Sequence, residues 1–131
     1  MRALITLLSP FLCSLLLACG GHKAQAADMQ TVDVSAAAAL VRSGVTVVDV
    51  RSAEEWHQGH LQVARWSPID RGEEGLAALE LDPAQPVLLY CRSGGRAEKA
   101  GQWLQQMGHT QVRVLRPGGF AELKASGLPT E

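Results

Sequence analysis

Val87-Leu88-Leu89-Tyr90-Cys91-Arg92-Ser93-Gly94-Gly95-Arg96-Ala97 decides how this chain is read. Four apolar residues form a run that suits a strand covered on both faces, and a glycine pair then interrupts it. A long helix is expected over Arg96 to Met107, with Ala97, Ala100, Gly101, Leu104 and Met107 on one apolar stripe and Gly108 as its stop. Working outward, Val45 to Val50 is a nearly continuous apolar run rich in β-branched residues, as expected of a strand covered on both faces, and Val112 to Leu115 reads as a last strand. Shorter strands are expected at Thr31 to Val34 and Ala64 to Trp66. Between them lie helical stretches: Ala36 to Arg42 behind an N-cap at Ser35, a short helix capped by Ser52 and closed by Gly59, Glu73 to Leu81, and Phe120 to Ser126. Strands alternating with helices predict an α/β fold of three layers, a mostly parallel sheet of about five strands with helices on both faces.

Upstream of this domain the composition changes. Residues 1–18 carry one charge, Arg2, and then an apolar run to Ala18 that is short for a membrane span, which is the pattern of a secretory signal. Leu16-Leu17-Ala18-Cys19 resembles a bacterial lipobox, with cleavage before Cys19 and lipid attached to its thiol. Ala24-Gln25-Ala26 offers an alternative cleavage after Ala26. The lipobox directly follows the apolar run, so the expectation is a periplasmic protein anchored to a bacterial membrane through Cys19. Residues 19–30 would be a flexible tether and 31–131 one domain. Removing 18 of the 131 residues leaves 113, the size of a single domain. It also removes one of the 12 basic residues and none of the 13 acidic ones, so 11 cations face 13 anions. No basic run suggests nucleic acid.

Of the three cysteines, Cys13 leaves with the signal and Cys19 is lipidated or removed, so Cys91 is alone in the domain. An unpaired thiol in an oxidising compartment is a liability unless its chemistry is used, although a lone cysteine also serves as a small buried hydrophobe. Its neighbours favour chemistry. Gly94 and Gly95 let the loop curl and aim successive N–H groups at one point, where the start of the next helix adds partial positive charge. Arg92 and Arg96 add full charges. Such surroundings lower a cysteine pKa from ~8.5 into the range ~3.5–7.5, so a nucleophilic thiolate is expected. Ligands in open parallel sheets bind beyond the carboxyl ends of the strands, where Cys91 to Arg96 and Asp49-Val50-Arg51-Ser52 both emerge. Asp49 and Arg51 project to one side and are expected to brace neighbouring loops.

These segments resemble the rhodanese family of sulfurtransferases, over about Thr31 to Pro129. Val48-Asp49-Val50-Arg51, Glu54-Glu55-Trp56 and Gly59-His60-Leu61 are similar to the family's N-terminal signature; Tyr90 to Ala97 is similar to its active-site loop. Gly118-Gly119 and Gly127-Leu128-Pro129 match glycine and terminal motifs of single-domain members. The resemblance implies a rhodanese-like fold and a persulfide on Cys91, with the outer sulfur held by the N–H groups of Arg92, Ser93, Gly94, Gly95 and Arg96. Thiosulfate or a related small sulfur anion would be the donor, a thiol or cyanide the acceptor, with no cofactor and no metal. Arg92 and Arg96 would recognise the donor's oxyanion end. Gln62-Val63 departs from a common Pro-Gly, and Leu123 from a common Trp.

Two other readings compete. Phosphatases and arsenate reductases on related folds resemble Cys-x5-Arg, whereas Arg96 closes Cys-x4-Arg, a smaller ring that suits sulfur. A non-enzymatic persulfide carrier serving one protein acceptor would need Cys91 equally. His57 and His60 are expected to be structural, since a low-pKa thiolate needs no base, and Trp56, Trp66 and Trp103 to be packing residues. The scattered histidines lack zinc-site spacing.

Overall fold

The computed structural model describes residues 28–131, so the expected signal and Cys19 lie outside the described residues. Five strands form one sheet: β1 (Asp28–Val32), β2 (Thr46–Asp49), β3 (Arg65–Trp66), β4 (Val87–Tyr90) and β5 (Gln111–Leu115). Their order is β1-β5-β4-β2-β3, and every pairing is parallel. Five α-helices connect them: α1 (Val34–Arg42), α2 (Ala53–His57), α3 (Gly72–Ala77), α4 (Gly95–Gln106) and α5 (Phe120–Ala125).

Side chains alternate across the sheet and build two cores. Val48, Val50, Val87, Leu89, Cys91, Val112 and Val114 pack with Leu76 of α3 and Ala97, Ala100 and Leu104 of α4. Val47, Leu88, Tyr90 and Leu115 face the other way, toward Ala37, Ala38 and Val41 of α1 and Leu123 of α5. The three layers are thus those expected. The apolar stripe of α4 is buried as anticipated at Ala97, Ala100, Gly101 and Leu104. Gly101 belongs there because a Cβ would stand 2.9 Å from Met29 Sδ and 3.0 Å from Val114 Cγ2.

The main differences from expectation lie at β1, α1 and α3. The domain's first strand starts at Asp28, inside the segment assigned to the tether, because the backbone of β1 pairs with β5 from Asp28↔Gln111 onward. α1 begins earlier because its N-cap is Asp33, whose Oδ1 accepts from Ala36 N–H at 2.8 Å; Ser35 lies within the helix. The stretch expected as a helix from Glu73 to Leu81 ends its α-helix at Ala77, and Glu80 stands at φ 52.

Candidate active site

β2 and β4 are direct neighbours, with Asp49 beside Tyr90, so the two segments that follow them emerge together at the carboxyl edge of the sheet. Val50 N–H bonds to Tyr90 C=O at 3.1 Å, extending that pairing one step past the strands. Sheet topology therefore brings Asp49, Arg51, Cys91 and the loop into one place.

Cys91 directly follows β4 and is 1% exposed, at the floor of the loop. Gly94 N–H donates to its Sγ at 3.1 Å. Gly94 is also the N-cap of α4, with φ 112, and a Cβ there would meet Arg116 Cβ at 2.7 Å. Only glycine combines that left-handed backbone with that close approach. Gly95 is different: it is the first helical residue, has no positive φ, and a Cβ on it would meet open space. Of the two loop glycines, the curl depends on Gly94 alone. The first N–H groups of α4 have no intrahelical acceptor, so they are available beside the sulfur.

A second glycine supports the loop from behind. Phe120 N–H donates to Cys91 C=O at 3.0 Å, and a Cβ on Gly119 would fall 2.1 Å from that carbonyl oxygen and 2.3 Å from that of Arg92. The start of α5 is pressed directly against the backbone of residues 91 and 92. Glu122 fixes that start by accepting from Gly119 N–H at 2.9 Å.

Asp49 and Arg51 form a buried ion pair. Arg51 Nη2 lies 2.7 Å from Asp49 Oδ2, Nε donates to the same carboxylate at 2.9 Å, and Arg51 N–H donates to Oδ1 at 2.8 Å. Arg51 Nη2 also donates to Gly59 C=O at 2.7 Å, and its guanidinium sits 4.2 Å over the Phe120 ring. One side chain thereby ties β2, the end of α2 and α5 together. Tyr90 completes the cluster. Its hydroxyl accepts from Leu61 N–H at 3.1 Å, and burial, with the Asp49 charge adding to it, pushes the phenol well above its ordinary range.

The two loop arginines part ways. Arg92 is exposed, has no carboxylate partner among the described residues, and lines a cleft of about 240 Å³ with Arg51, Glu55, Gln58, Phe120 and Ala121. Arg96 is held. Its Nη1 and Nη2 donate to Glu55 Oε2 and Oε1 at 2.6 and 2.9 Å. The hydrogen bonds from Arg96 hold the Glu55 carboxyl down at about 2, and Glu55, followed by a smaller influence from Cys91, pushes the Arg96 guanidinium up. Glu55 was not singled out from sequence as a site residue. It lies 41 residues from Arg96, and its visible signal, Ser52-x-x-Glu55, is the helix-capping pattern it also satisfies.

The remaining candidates flank the cluster, and Trp66 Nε1–H donates to Arg51 C=O at 3.0 Å. Trp56 stacks between His60, at 3.4 Å, and Trp66, at 5.5 Å, and His57 meets Trp66 edge-on. Trp103 packs against the α4 side of the core. Among the described residues no group of His, Cys, Asp and Glu is arranged to hold a metal ion.

A buried cysteine under a helix-starting loop on a five-stranded parallel sheet is the arrangement of the rhodanese-like domain, and the family model of that name matches residues 33–126. The chain belongs to this family. It is 32% identical over 109 residues to thiosulfate sulfurtransferase 18 of Arabidopsis thaliana, covering 74% of this chain and 80% of that one. Over 76 residues it is 32% identical to the thiosulfate sulfurtransferase PspE of Escherichia coli, covering 58% and 71%. The solution structure of a rhodanese-like domain from Anabaena superposes with a TM-score of 0.66 at 27% identity, covering 77% of each chain.

Proposed function

We propose that this protein is a sulfurtransferase that carries sulfane sulfur on Cys91. The observation that carries the reading is the Gly94 N–H directed at Cys91 Sγ at 3.1 Å, at the N-terminus of α4, where backbone dipoles favour an anion. The Cys91 thiolate attacks the outer sulfur of thiosulfate. Its lone pair forms the new S–S bond, the old S–S bond breaks, and the electron pair leaves on sulfite. The product, Cys91–S–S⁻, places an anionic sulfur among the N–H groups of residues 92–96, which stabilise it without reorganising. Cyanide or a thiolate then takes that sulfur and restores the Cys91 thiolate. Two displacements through one covalent intermediate give ping-pong kinetics.

Arg92 is the arginine assigned to the donor's sulfonate end, since it faces the cleft unpaired while Arg96 is occupied by Glu55. Relatives named as thiosulfate sulfurtransferases support this donor class. Export and a lipid on Cys19 are proposed from Leu16 to Cys19 alone. Purified protein is assayed with thiosulfate plus cyanide and, separately, with an aryl phosphate. Thiocyanate without phosphate release is the expected result; phosphate release without thiocyanate would replace this reading with a phosphatase.

A further inference from the structure

Arg96 is fixed from a direction that the transfer reaction itself does not explain. Its partner Glu55 belongs to α2, and both Glu55 oxygens are committed. Oε2 accepts from Arg96 Nη1 at 2.6 Å, Ser52 N–H at 3.0 Å and Ser52 Oγ at 3.0 Å, while Oε1 accepts from Arg96 Nη2 at 2.9 Å. The carboxylate is therefore a fixed point, tied to the helix start that follows Arg51. A bidentate guanidinium–carboxylate fork restricts rotation as well as distance. Arg96 is about one-third exposed at the pair, so without that fork its long side chain has solvent to turn into. Arg96 lies in the first turn of α4, two residues after Gly94, whose N–H donates to Cys91 Sγ at 3.1 Å, so the fork anchors the helix start that faces the sulfur.

We propose that Glu55 is a positioning residue for sulfur transfer: it holds Arg96 in the first turn of α4, at the loop that surrounds Cys91, and acts on the sulfur through Arg96. The proposal rests on the sulfurtransferase reading and extends it to α2. Two effects oppose each other when Glu55 is removed. Losing its charge leaves the cleft more positive, which favours a dianionic donor. Losing the fork frees Arg96, which removes a cation from the sulfur. Attraction falls with distance, and of the two charged partners Arg96 is the one that belongs to the Cys91 loop and the start of α4, while Glu55 reaches it from α2. Release of Arg96 is thus the larger effect on chemistry, and the altered charge acts on donor binding. The result is a split: kcat falls while KM for thiosulfate holds or falls. Simple damage to the cleft would raise KM instead.

The test compares wild type, E55Q, R96A and E55Q/R96A in thiosulfate–cyanide turnover, with thermal melting as a check on folding. In parallel, Cys91 alkylation by iodoacetamide is timed at pH 7, which needs no sulfur transfer. E55Q is expected to lower kcat by roughly tenfold or more, the scale of one charge-assisted hydrogen bond, without raising KM. It should also slow alkylation. In the R96A background, adding E55Q should change each rate by less than about twofold, since a residue acting through Arg96 has nothing left to act on. Unchanged or faster alkylation in E55Q, or equal losses with and without Arg96, would overturn the role of Glu55 even if thiocyanate is formed. If wild type forms no thiocyanate yet E55Q slows alkylation only when Arg96 is present, the transfer reading fails and the positioning role stands.

Discussion

Replacing Gly119 with alanine should disable the site from behind without replacing any residue that contacts sulfur. The added Cβ would lie 2.1 Å from Cys91 O, 2.3 Å from Arg92 O and 2.5 Å from Arg92 C, whereas ordinary contact begins at 3.4 Å. The difference from the nearest atom is 1.3 Å, 3.4 less 2.1, and all three atoms are backbone, so no side chain can turn aside. Gly119 has φ −172, an extended conformation open to alanine, so the whole effect is steric. Either α5 retreats, breaking the Phe120 N–H bond to Cys91 C=O, or the loop advances by about 1 Å. Overpacking of this kind costs about 1–3 kcal/mol, and each kcal/mol lowers Tm by roughly 4–8 °C in a domain of this size. Misplacing a reacting group by about 1 Å costs about 100-fold in rate. Melting curves and thiocyanate formation, measured on protein shown by near-ultraviolet circular dichroism to be folded, check both numbers. G95A is the control for stability, because its Cβ meets nothing and alanine is the better helix residue. A G119A protein with wild-type Tm and rate would refute the contact between α5 and the loop.

Other outcomes follow from the same contacts. Asp49→Asn leaves Arg51 buried with its charge uncompensated, so denaturant melts should show a loss of about 3–5 kcal/mol. Tyr90→Phe removes the hydroxyl that accepts from Leu61 N–H, and the same melts should report about 1–3 kcal/mol. His109 is 3% exposed with Nδ1 unpartnered, and burial lowers its pKa from 6.5, partly offset by Asp82. Its depressed pKa means that the unfolded chain binds the proton first. Stability is full above pH 6.5 and declines as pH falls below it, and H109F should lose that part of the decline in a pH series of melts.

The core-forming parts of this fold were the legible ones. β2 and β4 announce themselves as apolar runs because they are covered on both faces, and the stripe on α4 has helical spacing. The start of β1 hides because Asp28 and Gln30 are exposed on an edge strand and read like tether, although Met29 packs against the core and Asp28 pairs with Arg113 of β5. At α1, Asp33 and Ser35 are both good caps, and one sequence does not choose between them. The site divides in the same way. Cys91 and Gly94 were visible because thiol, glycine and helix start are contiguous in the chain. The sequence offers Gly94 and Gly95 equally as the residues that let the loop curl, and only Gly94 has a positive φ. The Glu55–Arg96 fork and the pressure of Gly119 on residues 91 and 92 join segments far apart, made adjacent only by the parallel order of β2, β4 and β5.

Intact mass after incubation with thiosulfate and removal of the excess reads the persulfide itself. Wild-type protein should gain the mass of one sulfur atom, lose it on adding cyanide, and show no gain in C91S. An adduct that persists in C91S, or wild-type protein that never gains it, would contradict a sulfur carried on Cys91.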